Sequence, residues 1–226
     1  MSLTWILVAL AVMLFVILPV TFALYRSWKV PQSWSALQQE RGLEDEADED
    51  DEEAWPESLS GDVRGKDVDV WIDTDIAARG KSGPDHAHYT NIVVPLDTGD
   101  DSQVCIQQTG VRSRIVRTVM TGPGGFNYKS EEIDDGDDTD VGDDAFDERF
   151  EIAGELTDEL ATALETPSIR GLIDELLSSS AELHIERSKV RYTIPGRVAG
   201  QQKLIGRVDA VVEIAIGLDD TLDGSS

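Results

Sequence analysis

The sequence predicts an α+β domain, an antiparallel sheet with helices packed on one face, joined by an acidic linker to an N-terminal single transmembrane helix. Three observations carry this prediction: an uncharged apolar run at the start, period-two alternation in several later segments, and apolar stripes of helical period grouped between and after them. They divide the chain into an anchor over 1–29, a disordered acidic linker over 30–60, the domain over 61–217 with an acidic loop at 131–145, and a disordered tail over 218–226.

Leu3 to Leu24 reads LTWILVALAVMLFVILPVTFAL, 22 residues without a charge. At a rise of about 1.5 Å per residue it spans roughly 33 Å, enough for one bilayer crossing. Trp5 at one end and Tyr25 and Trp28 at the other suit the membrane interface. The start lacks the basic side chain that a signal peptide carries, and the alternative of cleavage rests on Thr21 and Ala23 as a weak pair before Leu24. Arg26 and Lys29 follow the run, so the positive-inside bias places the domain in the cytoplasm, tethered to the cell membrane by a single pass. The lipid bilayer is thus the partner of residues 3–24.

Residues 30–60 hold few apolar side chains and the acidic run Glu44 to Glu53, a composition that repels itself and buries little. A short amphipathic helix around Trp34, Leu37 and Leu43 would lie at the membrane interface. From Gly61 the pattern changes. Val68, Val70 and Ile72 alternate with Asp67, Asp69 and Asp73, the period of a strand with an acidic outer face. Tyr89 to Leu96 and Val104 to Gln108 give two more strands, and Val111, Ile115 and Val116 mark a short helix over 111–120. Phe146 to Ala153 reads as a strand and Leu156 to Leu164 as a helix. Thr166 followed by Pro167 starts another helix, with Ile169, Leu172, Ile173, Leu176 and Leu177 as its buried stripe. Leu183 and Ile185, then Val190, Tyr192 and Ile194, alternate as a hairpin. Gln202 to Gly217 closes the domain as a helix with Leu204, Ile205, Val208, Val211, Val212 and Ile216 on one face.

The net charge of −26 is concentrated in two tracts. Residues 40–57 and residues 131–149 each hold eleven acids and one Arg, so together they carry −20 of it. Asp outnumbers Glu, 27 to 18, and Arg outnumbers Lys, 13 to 6, a balance suited to a halophilic cytoplasm where salt screens self-repulsion. Such a chain is repelled by phosphate backbones and by anionic lipid surfaces, so nucleic acid is excluded as a partner and the soluble part is not expected to bind either surface. One cysteine, Cys105, excludes an intrachain disulfide framework.

The stretch Val141-Gly142-Asp143-Asp144-Ala145-Phe146-Asp147-Glu148-Arg149-Phe150-Glu151-Ile152-Ala153-Gly154 resembles a family of uncharacterised membrane-anchored bacterial and archaeal proteins. Their pattern is Gly-Asp, two residues, Phe-Asp, two residues, Phe, then a short strand ending in Gly. Leu156-Thr157, the hairpin Glu182 to Ile194, the closing helix, and Arg64-Gly65 ahead of the first strand also fit, so the likeness covers most of 61–217. The acidic insertion 131–140 departs from the pattern. The resemblance implies the α+β architecture, and it implies no activity and no catalytic residue; the halophilic charge balance, taken with it, points to a haloarchaeal member. Read physically, Phe146 and Phe150 are apolar anchors, and Asp143 or Asp147 accepts backbone N–H groups in the turn entering the strand.

Asp85-His86-Ala87-His88 is the strongest metal motif, since residues two apart on a strand project to one face. Its third ligand would be His184, Asp73 or Asp85, and the spacing does not choose among them. Two solvated histidines beside the Gly83-Pro84 turn are the plainer reading. The loop Asp134-Asp135-Gly136-Asp137-Asp138-Thr139-Asp140 lacks the sixth-position Gly and twelfth-position Glu of a calcium loop. Gly122-Pro123-Gly124-Gly125 lacks the Lys-Ser or Lys-Thr of a phosphate loop. Ser178-Ser179-Ser180 has no glycine-flanked elbow, Cys105 reads as a strand thiol, and Arg112, Arg114 and Arg117 form a small basic cluster able to pair with an acidic tract or, less expected, with a partner. No catalytic, cofactor or metal set is assembled by spacing alone. The sequence therefore predicts a noncatalytic interaction or scaffold module at the membrane. The alternatives are a membrane-tethered metal-dependent hydrolase using Asp85, His86 and His88, and a cation or salt sensor working through 131–149.

Overall fold

The computed structural model describes residues 13, 17–45, 58–75, 87–98, 103–109, 144–177, 181–186 and 188–224. In chain order they form α1 (Leu18–Arg41), β1 (Glu44–Asp45), β2 (Ser58–Val63), β3 (Lys66–Asp75), β4 (Ala87–Pro95), β5 (Gln103–Gln108), α2 (Asp144–Asp147), β6 (Phe150–Glu155), α3 (Asp158–Leu164), α4 (Pro167–Leu176), β7 (Glu182–Glu186), β8 (Lys189–Pro195) and α5 (Gln201–Asp223). The fold is α+β. The strands make one sheet in the order β1-β2-β3-β4-β8-β7-β5-β6, with every neighbouring pair antiparallel.

The alternation read in the sequence becomes one continuous row in the sheet. Leu59, Val70, Ile92, Tyr192, Leu183, Ile106 and Ile152 are successive cross-strand partners from β2 to β6, and each is at most 2% exposed. Burying such side chains stabilises by roughly 1.5–3 kcal/mol each before the entropy of ordering them is subtracted. The helices gather on this face: α5 lies against β4 and β8, α1 against α5 and β2, and α3 and α4 against α5. The Tyr192 hydroxyl donates to the Leu176 carbonyl at 2.9 Å, which satisfies a buried polar group and pins the end of α4 to β8.

Two turns depend on backbone conformation. Arg64 (φ 57°) and Gly65 (φ 83°) form the two-residue loop between β2 and β3, the doubly positive pair that matches strand twist, and the Arg64 side chain pairs with Glu213 on α5. Gly154, the glycine closing the Phe-containing motif, has φ 119°, and a Cβ there would lie 2.1 Å from the Gln103 carbonyl oxygen. Gly154→Ala should therefore lower stability by about 3 kcal/mol, through strain and displacement of β5 from β6. Urea denaturation followed by circular dichroism measures this, and a loss below about 1 kcal/mol would show that the two strands yield easily.

The fold-class prediction needs correction at both ends. Among the described residues no helix is long and apolar enough to cross a membrane. Residues 3–12 and 14–16 of the expected span lie outside the described residues. The helix that is described, α1, starts at Leu18 and continues past Arg26 and Lys29 to Arg41. Its second half is not a disordered linker. Val30, Trp34 and Leu37 recur at helical spacing and are at most 3% exposed, joined in the core by Leu43. The amphipathic stretch expected at the membrane interface thus packs into the protein instead. Gly42 ends α1 in the left-handed conformation, with its N–H donating to the Gln38 carbonyl at 2.9 Å. Arg41 then grips Asp209 of α5 with two bonds, Nε to Oδ1 at 2.8 Å and Nη2 to Oδ2 at 2.6 Å.

At the other end α5 runs to Asp223, so residues 218–223 belong to a helix and not to a disordered tail, with Leu218 fully buried. Smaller differences are local. The strand expected over Phe146 to Ala153 is the short helix α2 followed by β6 from Phe150. Phe146 and Phe150 both reach the core, ring centroids 4.8 Å apart, with the Arg170 and Arg149 guanidinium groups over their faces. Thr166 is the N-cap of α4 with Pro167 following, yet its side chain makes no capping bond, whereas Thr157 accepts from the Leu160 N–H at 3.2 Å. The helix expected over 111–120 lies outside the described residues.

Candidate functional site

Because the row through Ile92 and Tyr192 faces the helices, the intervening residues share the opposite face of the sheet. Register sets them in rows. One runs Val93, Arg191, His184, Cys105, Ala153, and the next runs Asn91, Thr193, Glu182, Gln107, Glu151. Glu182 and His184, two apart on β7, therefore point the same way, and Cys105 is the cross-strand partner of His184. Glu182 and His184 are each 6% exposed, and Cys105 is half-buried.

The three side chains converge. His184 Nε2 lies 3.1 Å from Glu182 Oε2 and 3.8 Å from Cys105 Sγ, and the three donor atoms all fall within 4.8 Å of one another. Around them is a polar frame: Gln107 Nε2 donates to Glu151 Oε2 at 3.2 Å, and Thr193 Oγ1 donates to Asn91 Oδ1 at 2.9 Å. Arg191 bonds Glu186, and Lys189 lies 3.2 Å from the same carboxylate. Burial, and next the positive charge of Arg191, hold the Lys189 ammonium down to about 8, so this edge loses positive charge in mildly alkaline solution.

A second polar cluster joins β3 to α5. Lys66 Nζ donates to Asp219 Oδ2 and to Asp97 Oδ2, each at 2.5 Å, while Asp219 Oδ1 accepts from the N–H groups of Asp97 and Thr98 at 3.0 Å and from the Thr98 hydroxyl at 2.7 Å. Lys66 and Asp219 are buried. Every contact here closes the fold, tying the start of β3 and the chain after β4 to the last turns of α5.

The structure does not bring the residues of the candidate Asp85-His86-Ala87-His88 motif and its possible third ligands to one site among the described residues. Asp85 and His86 lie outside the described residues. His88 is on β4 with the parity of Ile92, the helix-covered face, whereas His184 is on the other face, so the sheet separates these two histidines. Asp73, opposite Tyr89, is on the face of His184 but three strands away from β7. The Gly-rich turn 122–125, the arginines 112, 114 and 117, the serines 178–180 and the acidic residues 131–143 lie outside the described residues. Cys105 is the strand thiol expected. What sequence reading missed is its meeting with Glu182 and His184; the alternation of Glu182 and His184 with Leu183 was the available signal, but the pairing of β5 with β7 was not.

No protein-family model matches the chain, and no curated protein matches it significantly. Among solved structures it is similar to the crystal structure of the mycobacterial trehalose monomycolate transport factor A, TtfA, at 11% identity over 85% of this chain and 94% of that one, with a TM-score of 0.48. So distant a likeness carries no activity, substrate or partner to this chain.

Proposed function

We propose that the protein is a noncatalytic interaction module that works at a membrane surface. The observation that carries this reading is the contrast between exposed apolar side chains at and before the start of α1 and buried ones in its second half. Met13 and Ile17, ahead of α1, and Val20 in its first turn are 59%, 50% and 52% exposed, while Val30, Trp34 and Leu37, further along α1, are locked into the core. Exposed apolar side chains at one end of a helix that is clamped at the other favour a lipid surface, with the clamp setting the orientation of the domain. The Arg41–Asp209 fork and the bond from the Gly200 N–H to Ser33 Oγ at 2.7 Å hold α1 to α5, so the helix and the domain move as one body.

The reading is tested by flotation of the full chain with lipid vesicles in high salt. Co-flotation of the full chain, and its loss in Met13→Asp/Ile17→Asp/Val20→Asp, supports membrane association. Full chain left at the bottom of the gradient overturns it. The interaction role is tested by crosslinking in membranes and recovery of partners: neither a partner nor self-association in repeated preparations would count against a module of this kind.

A further inference from the structure

We propose that Cys105, Glu182 and His184 form a binding site for one divalent transition-metal ion of the zinc class, on the sheet face away from the helices. The donors are a sulfur, an imidazole nitrogen and a carboxylate oxygen, the set that a borderline-soft ion takes. A tetrahedral ion with bonds of about 2.0 Å to nitrogen and oxygen and about 2.3 Å to sulfur holds its ligand atoms roughly 3.3–3.8 Å apart. The two distances to His184 Nε2, 3.1 Å and 3.8 Å, lie within a few tenths of an ångström of that, and the third pair falls within 4.8 Å, so the Cys105 and Glu182 side chains draw together around the ion.

The geometry separates this reading from that of an activated nucleophile. In a thiol–imidazole–carboxylate relay the acid holds one ring nitrogen and the thiol faces the other. Here both Glu182 Oε2 and Cys105 Sγ approach the same atom, His184 Nε2. Three groups converging on one point is the arrangement that an ion centres. Charge agrees as well: a thiolate and a carboxylate neutralise a divalent ion. Three protein ligands leave the fourth tetrahedral position to water or an incoming donor. The site is built by register: β7 supplies two ligands at i and i+2, and β5 supplies the third directly opposite.

The test is titration of the full chain with cobalt(II), whose thiolate complexes absorb in the near ultraviolet, followed by zinc competition. The expected result is a thiolate-to-cobalt band saturating at about one equivalent and displaced by zinc. Cys105→Ser should abolish the band, and His184→Gln should weaken binding at least ~10-fold. Circular dichroism checks that each variant folds. Should His184→Gln fail to fold, Glu182→Gln reads the same affinity change. Cobalt bound without a thiolate band marks loose binding to the acidic tracts and overturns the proposal. So does a band whose affinity is unchanged in both His184→Gln and Glu182→Gln, because the thiolate would then be working with other ligands.

Discussion

Trp34→Ala should lower the unfolding free energy by about 4 kcal/mol, within the range for truncating a large aromatic in a closed core. Trp34 is 0% exposed in the middle of α1, between Val30 and Leu37, on the helix that packs against α5 and β2. Removing the indole leaves a cavity that neighbouring side chains fill only in part. The helix it anchors also carries the Arg41 fork and the Ser33 contact with Gly200, so loosening it exposes the edge of the core around Leu43 and Leu59. Trp34→Phe, which keeps a ring but less volume, should lose roughly half as much. Urea titrations read by circular dichroism at one fixed salt concentration measure both, since fluorescence would lose one of its own reporters. Were residues 30–60 a linker, Trp34→Ala would shift stability by less than about 0.5 kcal/mol.

Asp219→Ala should cost about 3–4 kcal/mol, because it leaves Lys66 buried beside a single carboxylate and strips acceptors from two N–H groups and one hydroxyl. Asp97 remains for Lys66, but its side chain is 81% exposed and is a weak substitute. Replacing the pair together, Lys66→Met with Asp219→Leu, should recover part of the loss, because no charge is then left buried. The pH dependence has a definite sign. Burial opposes ionisation of Asp219, but the bonds from Lys66 and Thr98 outweigh it and hold the carboxyl below its ordinary 3.8. Burial likewise opposes the charge on Lys66, and the bonds to Asp219 and Asp97 outweigh it and raise the ammonium above its ordinary 10.5. Asp219 therefore contributes stability that is present above 3.8 and lost as pH falls through its lowered folded value. The Lys66 contribution is complete below 10.5 and lost as pH rises through its raised folded value. Wild type minus Asp219→Ala should thus be constant near neutrality and shrink below 3.8. Melting curves across that range measure it, and a difference that does not shrink in acid would mean that the carboxylate charge is not what Asp219 contributes.

Residue order alone determined the kinds of local structure in this protein. Alternation in Val68 to Ile72, Leu183 to Ile185 and Val190 to Ile194 marks the strands, and the Ile169 to Leu177 and Leu204 to Ile216 stripes mark the helices, because a side chain's face follows from a period of two or 3.6. The Phe146 and Phe150 anchors were legible because bulk acts within a few residues, whereas the need for Gly at 154, inside β6, comes from the Gln103 carbonyl of β5. Tertiary structure decided whatever depended on partners distant in the chain. The stretch from Val30 to Leu43 looks too polar to bury until α5 and β2 offer it a surface, and Asp219 looks like part of a tail until Lys66, from the other end of the domain, meets it. The meeting of Cys105 with Glu182 and His184 is of this second kind. Composition and spacing describe each of these residues as ordinary, and only the antiparallel pairing of β5 with β7, 79 residues apart at Cys105 and His184, brings a sulfur, a nitrogen and an oxygen to one point. Local periodicity is a property of neighbouring residues, whereas strand order minimises exposed apolar surface over the whole chain, and no short segment contains that information.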